Sequence, residues 1–333
     1  MKVNRYEDVI TLEENGTQFL EACREFRGFD AEKWVYAKRS LIQDFMKKNG
    51  RDTVILGISG GIDSAVAYKI LKGIPSITVF PVNIQIRPGT TDQDEGKALS
   101  LLLGDDIKSF DISTPMKEMA EIIFDATKED NANVSASIWA QGQFASCLRS
   151  PAYYFIASLL SDQGLRPVVC GTINRSEGAY LGYWGKTSDA AVDIQILSDL
   201  FKSEVISVAR YLGVPEEIVN ATPKGDVYDG SSDESLFGVS YDCVELFISM
   251  KDNDGLRKMT NFDCDAPAYW ADVVKRIDMM HSYNAHKYTA PAFGVWGNHL
   301  NVIEAGCPGG WPTKKVVDNY PTLMHGEFKL EDE

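Results

Sequence analysis

Residues 57–64 read Gly-Ile-Ser-Gly-Gly-Ile-Asp-Ser. The apolar run Val54-Ile55-Leu56 precedes them, and Ala65 to Leu71 suits a helix. A strand that ends in a Gly/Ser turn and opens a helix is a place to hold phosphate. Free backbone N–H groups and the positive end of the helix dipole face the anion there. Gly60 and Gly61 let the backbone come close to a ligand. Ser59 and Ser64 add hydroxyl donors, and Asp63 can carry a divalent metal. The octet has neither the Gly-Lys-Ser/Thr ending of a Walker A loop nor the Gly-x-Gly-x-x-Gly spacing of a dinucleotide fold. A later Gly185-Lys186-Thr187 is not a Walker A loop either. The glycine it needs at position 180 is a tyrosine, and the nearest strand end, Gly171, lies too far upstream.

Hydrophobic periodicity supplies the elements that must position these groups. Residues 31–48 form an amphipathic helix with Trp34, Leu41, Ile42 and Phe45 on its apolar side. Strands are expected at 54–58, 76–81, 107–110 and 167–170. Helices are expected at 64–72, 92–103, 115–126 and 143–160, with Pro151 starting a new helix or kinking the last of these. Further helices follow at 200–212, 241–250 and 269–282, with charged and polar loop over 251–268. The first thirty residues read as a loosely packed arm, and residues 296–333 as an extension rich in turns. Strands alternating with helices imply an α/β fold, a Rossmann-like parallel sheet with helices on both faces. Ligands bind beyond the carboxyl ends of such strands. The octet sits at one such end and Gly171-Thr172 at another.

Composition excludes several function classes. The net charge of −15, from 33 basic and 48 acidic residues, argues against a nucleic-acid partner. No run of eighteen apolar residues marks a membrane span, and the N-terminus does not read as a secretory signal. The six cysteines, at 23, 147, 170, 243, 264 and 307, include no Cys-x-x-Cys pair. A reduced, cytoplasmic protein is the expectation.

Further along the chain come Gly171-Thr-Ile-Asn-Arg-Ser-Glu177, Gly182-Tyr-Trp-Gly-Lys186, and Asp233-Glu234 with Gly238-Val-Ser-Tyr-Asp242. His286-Lys287 closes the series. The octet by itself resembles the Ser-Gly-Gly-x-Asp-Ser signature of the N-type ATP pyrophosphatases. The whole series, over 31–295, resembles the ammonia-dependent NAD synthetases of that superfamily. The resemblance implies an adenine nucleotide alpha-hydrolase-like fold. It also implies ATP-dependent amidation of deamido-NAD to NAD by ammonia, through an acyl adenylate, with release of AMP and pyrophosphate. Carried over residue by residue, Asp63 and Glu177 would hold Mg²⁺. Ser59, Gly60, Gly61, Ser64, Thr172 and Lys202 would contact ATP. Arg149, Lys186, Asp193, His286 and Lys287 would meet deamido-NAD. Asp63, Lys186 and Asp189 would be the catalytic groups, with Asp189 receiving a proton from the ammonia. The family is homodimeric, so a homodimer is expected. The leader before residue 57 leaves no room for a glutaminase domain, so free ammonia, or ammonia from a separate protein, is the expected nitrogen source.

The chain departs from the family's pattern around the substrates. The stretch after Gly182-Tyr183 reads Trp184-Gly-Lys-Thr-Ser-Asp-Ala-Ala191, with two alanines where the family has two glycines. One extra residue lies between Glu177 and Gly182. The family's first arginine ahead of Gly-Thr is Cys147 here, while Arg149 keeps the second. Lys224 replaces a Ser/Thr, and Asn83 stands where an arginine is expected, with Arg87 as a substitute. Two alternatives therefore stay open: an ATP pyrophosphatase that amidates or thiolates another substrate, and a nucleotide-binding relative without catalysis.

Overall fold

The computed structural model describes residues 6–86, 107–127, 138–224 and 231–288. Five strands pair in parallel: β1 (Thr53–Gly57), β2 (Thr78–Gln85), β3 (Lys108–Asp111), β4 (Pro167–Gly171) and β5 (Ile194–Gln195). Their order is β3-β2-β1-β4-β5. The chain winds outward from β1 through β2 to β3, then returns to the other side of β1 with β4. The strand order thus reverses between β1 and β4, which opens a crevice at their carboxyl ends.

Alternation along the central strands shows why both faces are covered. Val54, Leu56, Val168 and Cys170 point into a core shared with three helices. These are α2 (Ala31–Lys48), α3 (Ile62–Lys72) and, after β5, α6 (Lys202–Tyr211), to which the short α7 (Glu216–Val219) adds Ile218 and Val219. Ile55 and Val169 point the other way, where they meet Leu160, Ile156 and Tyr153. Those residues belong to α5 (Ile138–Asp162), which follows α4 (Ser113–Thr127). A side-chain period of two puts successive residues on opposite faces, and each face buries its own set.

Most expected elements are present, with shifted ends. The second strand starts at Thr78 and runs on to Gln85. Leu41, placed by periodicity on the apolar side of α2, is 63% exposed, while Ile42 is buried and Trp34 and Phe45 pack at the core's edge. Pro151 lies inside one continuous helix instead of dividing two. Packing of Ala145 and Leu160 on either side of it outweighs the lost ladder hydrogen bond. The helix expected at 92–103, Arg87 and the 296–333 extension lie outside the described residues.

Two expectations are corrected. Within the first thirty residues, read as a loosely packed arm, Glu14–Arg27 is a helix, α1, with Leu20 and Cys23 buried. It packs on α9 (Tyr241–Asp252) in a second core, together with α8 (Asp233–Phe237) and, later in the chain, α12 (Trp270–Asn284). Arg24 pairs with Glu245 at 2.8 Å, and Arg27 pairs with Glu204. Ahead of α1, Ile10 bridges to Val239. The region 251–268 holds two short helices, α10 (Asp254–Met259) and α11 (Phe262–Asp265), where loop was expected. Both are anchored by one apolar residue, Leu256 and Phe262 respectively, too few to give a periodic signal. Among the described residues no helix is long and apolar enough to cross a membrane.

Candidate active site

The octet folds as the chain's local chemistry dictates. β1 ends at Gly57, the loop turns through Gly60 at φ 92°, and Gly61 caps α3. The Gly60 conformation is one that side chains with a Cβ rarely adopt. The serines hold the turn together. The Gly61 N–H donates to Ser59 Oγ at 3.2 Å, and Ser64 Oγ donates to the Gly61 carbonyl at 2.9 Å. From the neighbouring strand, buried Asn83 donates Nδ2 to the Ile58 carbonyl at 2.7 Å, which pins the start of the loop. Tyr153 of α5 packs its hydroxyl end against Gly57.

Asp63, in the first turn of α3, meets the residues that follow β4. Thr172 is half-buried at that strand's end. Asn174 Nδ2 lies 3.0 Å from Asp63 Oδ1 and 2.7 Å from Glu177 Oε1. Lys202, at the first position of α6, places its ammonium 2.6 Å from Asp63 Oδ2 and 3.5 Å from Glu177 Oε1. The Tyr241 hydroxyl lies 3.0 Å from both Glu177 Oε1 and Asp233 Oδ2, and the Tyr183 hydroxyl donates to Asp233 Oδ1. Two carboxylates thus share one buried ammonium, and Tyr241 links a third, Asp233, to them.

Electrostatics follow from that burial. Desolvation pushes the Glu177 carboxyl up to about 7, with Lys202 pulling the other way and Asp63 adding to the rise. Burial likewise raises Asp233. Burial opposes the charge on Lys202, but Asp63, Glu177 and Asp233 outweigh it and hold the ammonium more firmly than in water.

The remaining sequence-predicted residues form a rim. Glu177 opens a π-helix, Glu177–Leu181, a geometry that recurs at functional sites. The last turn of α12 and the segment after it bind the carbonyls of this turn and of the residues beyond it. His281 Nδ1 lies 2.7 Å from the Tyr180 carbonyl oxygen, and Asn284 donates to Leu181 O. Lys287 donates to the carbonyls of Gly182 and Trp184 at 3.0 and 2.7 Å, and Tyr288 donates to Gly178 O. Burial pushes the Lys287 ammonium down to about 8. Lys186 is exposed and donates to the His286 carbonyl, so its loop and the His286-Lys287 pair come together. Asp189 Oδ2 accepts from the Gly185 N–H and the Ser188 hydroxyl. Thr187 reaches Cys147 Sγ at 3.0 Å, which joins the loop to α5 near half-buried Arg149. Asp193 stands apart. Its Oδ2 accepts the Val169 N–H at 2.7 Å and Oδ1 faces Tyr154, so the carboxylate completes the edge of β4.

The structure therefore brings Asp63, Glu177 and Lys202 into direct contact beside the Ser59–Ser64 loop. Lys186, Asp189, His286 and Lys287 gather on the adjoining rim. Asn174, Tyr183 and the link from Tyr241 to Asp233 carried no assigned role in the sequence reading. For Asn174 the signal was its place three residues before Glu177. The tyrosines gave none, since their partners are distant in sequence. Among the described residues no three His, Cys, Asp or Glu side chains gather as a metal cage. Two carboxylates, Asp63 and Glu177, suit Mg²⁺ all the same, because that ion commonly takes one or two carboxylates and completes its shell with substrate phosphates and water.

Comparison with known proteins identifies the family. A family model described as NAD synthase matches residues 34–291. A protein of Helicobacter pylori named NH(3)-dependent NAD(+) synthetase is 31% identical over 268 residues, covering 79% of this chain and 96% of its own. One of the same name from Methanocaldococcus jannaschii is 27% identical over 270 residues, 79% and 97% of the two chains. Among solved structures, an NMN synthetase from Francisella tularensis superposes with a TM-score of 0.65 at 22% identity, covering 80% of this chain and 99% of its own. An NH3-dependent NAD synthetase from Campylobacter jejuni gives 0.58 at 21%, covering 80% and 99%. At these identities the structures speak for the fold.

Proposed function

Because the chain belongs to the NAD synthase family, we propose that it is a carbon–nitrogen ligase that amidates deamido-NAD with ammonia at the expense of ATP. The observation that carries this reading is the convergence of Asp63 from the pyrophosphate loop with Glu177 and Lys202 at the β1/β4 crevice. In the first step an oxygen of the nicotinate carboxylate attacks the α-phosphorus, the bond to the β-phosphate bridging oxygen breaks, and pyrophosphate leaves. In the second, ammonia attacks the acyl carbon and AMP departs.

Each group has a task in that sequence. The loop and the α3 dipole would face the pyrophosphate, and the Ser59 and Ser64 hydroxyls, which accept the Gly61 and Ser59 N–H groups, keep the turn in shape. Thr172, just past the end of β4, and Lys202, at the first position of α6, would meet ATP. Asp63 and Glu177 would hold Mg²⁺, which when bound offsets the repulsion between phosphates and carboxylate. Lys186, Arg149, His286 and Lys287 line the side from which the dinucleotide enters. Asp189 keeps one oxygen engaged by Gly185 and Ser188, leaving the other to receive the proton that ammonia loses. Asp193, tied to Val169, would act by holding β4 beside the site.

The reading extends to a cytoplasmic homodimer. Exposed apolar side chains of α4 and α5, namely Met119, Ile122, Ile123, Phe155 and Leu159, offer a face for a second copy. The cysteines of the described residues are all unpaired, as in a reducing compartment. Light scattering should give twice the chain mass; a monomer at working concentration removes the dimer.

The test of function incubates the protein with ATP, Mg²⁺, ammonium and deamido-NAD, and follows NAD, AMP and pyrophosphate. Equal yields of the three are expected. Pyrophosphate release without NAD would sink the amidation reading and point to another acceptor.

A further inference from the structure

We propose that Lys202 is a positioning residue that holds the metal's place between Asp63 and Glu177 and passes to the ATP phosphates when the metal arrives. Metal binding and nucleotide binding are thereby coupled. The proposal rests on the ligase reading above and adds to it the expectation that neither ligand binds well without the other.

The argument begins with the two carboxylates. Asn174 Nδ2 bridges Asp63 Oδ1 and Glu177 Oε1, which fixes the two groups side by side whether or not a cation lies between them. Lys202 is that cation here. Its side chain is 6% exposed, its Nζ stands 2.6 Å from Asp63 Oδ2 and 3.5 Å from the same Glu177 Oε1, and so it lies in the position from which both carboxylates are neutralised. Buried carboxylates in contact need such a charge. A divalent ion bound by this pair needs the same oxygens. The ammonium and the ion cannot share them, since like charges within a few ångströms repel strongly in a low-dielectric site.

The fold states which of the two can move. The Lys202 backbone is anchored, its N–H donating to buried Ser176 Oγ at 3.0 Å at the start of α6. Only the four-carbon stem is free to swing. Asp63 lies in the first turn of α3, immediately after the loop assigned above to the pyrophosphate. An ammonium released by Asp63 therefore enters the space where the phosphates bind. Without phosphates it would have no anion to receive it, and it stays on the carboxylates. With them it exchanges one anionic partner for another, and its former oxygens open to the metal.

Mn²⁺ serves as the probe, its free concentration followed by electron paramagnetic resonance, with and without α,β-methylene ATP. Wild type should bind Mn²⁺ weakly alone and much more tightly with the analogue. Lys202→Met removes the competing charge, so Mn²⁺ alone should bind more than about tenfold tighter than to wild type, and the gain from the analogue should shrink. Lys202→Gln should behave like Lys202→Met, and Lys202→Arg, which keeps the charge, like wild type. Melting curves check that each variant folds; Mn²⁺ without nucleotide should raise the melting temperature of Lys202→Met more than that of wild type. If both neutral variants bind Mn²⁺ alone no better than wild type, the place-holding role is overturned while the metal site stands. If wild type takes up no Mn²⁺ even with the analogue, the metal reading of Asp63 and Glu177 fails and the proposal falls with it.

Discussion

Asp63 and Glu177, far apart in the chain, share one hydrogen-bond donor: Asn174 Nδ2 reaches Asp63 Oδ1 at 3.0 Å and Glu177 Oε1 at 2.7 Å. Asn174 is itself fully buried, and its Oδ1 accepts the Glu177 N–H, which closes the turn that presents the glutamate. One amide therefore sets both the separation of the two carboxylates and the start of the π-helix.

Asn174→Ala should leave the sheet intact and separate the carboxylates. Groups that orient metal ligands typically contribute about 10–100-fold to metal affinity or activity. A loss of NAD formation in that range is expected, with a matching loss of Mn²⁺ affinity in the presence of an ATP analogue. Full activity in steady-state assays would show that Asn174 orients nothing.

Gly182 carries the chain out of the π-helix at φ 67°, and a Cβ there would lie 2.6 Å from Asn284 Cβ. Gly182→Ala therefore combines backbone strain with a clash against a buried neighbour, together roughly 2–4 kcal/mol. The rim that Asn284 and Lys287 hold should shift with it. Chemical denaturation should register the lost stability, and the Michaelis constant for deamido-NAD should rise. Unchanged values for both would contradict the placement of this turn.

Leu20 of α1 is 1% exposed within the second core. Leu20→Ala should destabilise the protein by about 2–5 kcal/mol, the usual range for a buried leucine, as read from urea unfolding. A change near zero would mean that the N-terminal helix is dispensable, as a loose arm would be.

Lys287 titrates near 8 when folded because burial disfavours its charge, against 10.5 for the ordinary side chain. The unfolded chain therefore binds the extra proton between these values, so this group's contribution to stability rises as pH increases from about 8 to 10.5. Below that window its burial as a cation is a standing cost. The stability difference between wild type and Lys287→Met should shift in favour of wild type across this window in pH-dependent denaturation. A difference independent of pH would show that Lys287 keeps its ordinary affinity for the proton.

How much of this could be read from the chain depends on whether the cause is local. A strand running into Gly-Gly and then a helix with an acid in its first turn needs only neighbouring residues, so Ser59 to Ser64 and Asp63 were legible as a phosphate loop. The apolar repeats of β1, α3 and β4 announced a covered parallel sheet for the same reason, and the series of motifs through Asp242 identified the family. Helix α1 was not legible, because it buries only a narrow stripe around Leu20 and Cys23 among polar residues. Pro151 does not divide the helix in two, because the chain on both sides of it packs as one helix.

The tertiary structure alone decided what these residues do to one another. Lys202 meets Asp63 and Glu177 only because β4 returns beside β1 after β2 and β3 have left on the other side. Asp193 completes a strand edge, and Lys287 holds carbonyls of the neighbouring turn, because the elements that bring their partners arrive from distant parts of the chain. Residue types and local spacing determine which groups are available for chemistry. Strand order, burial and long-range hydrogen bonds determine which of them share a charge, and that is a property no short window of sequence contains.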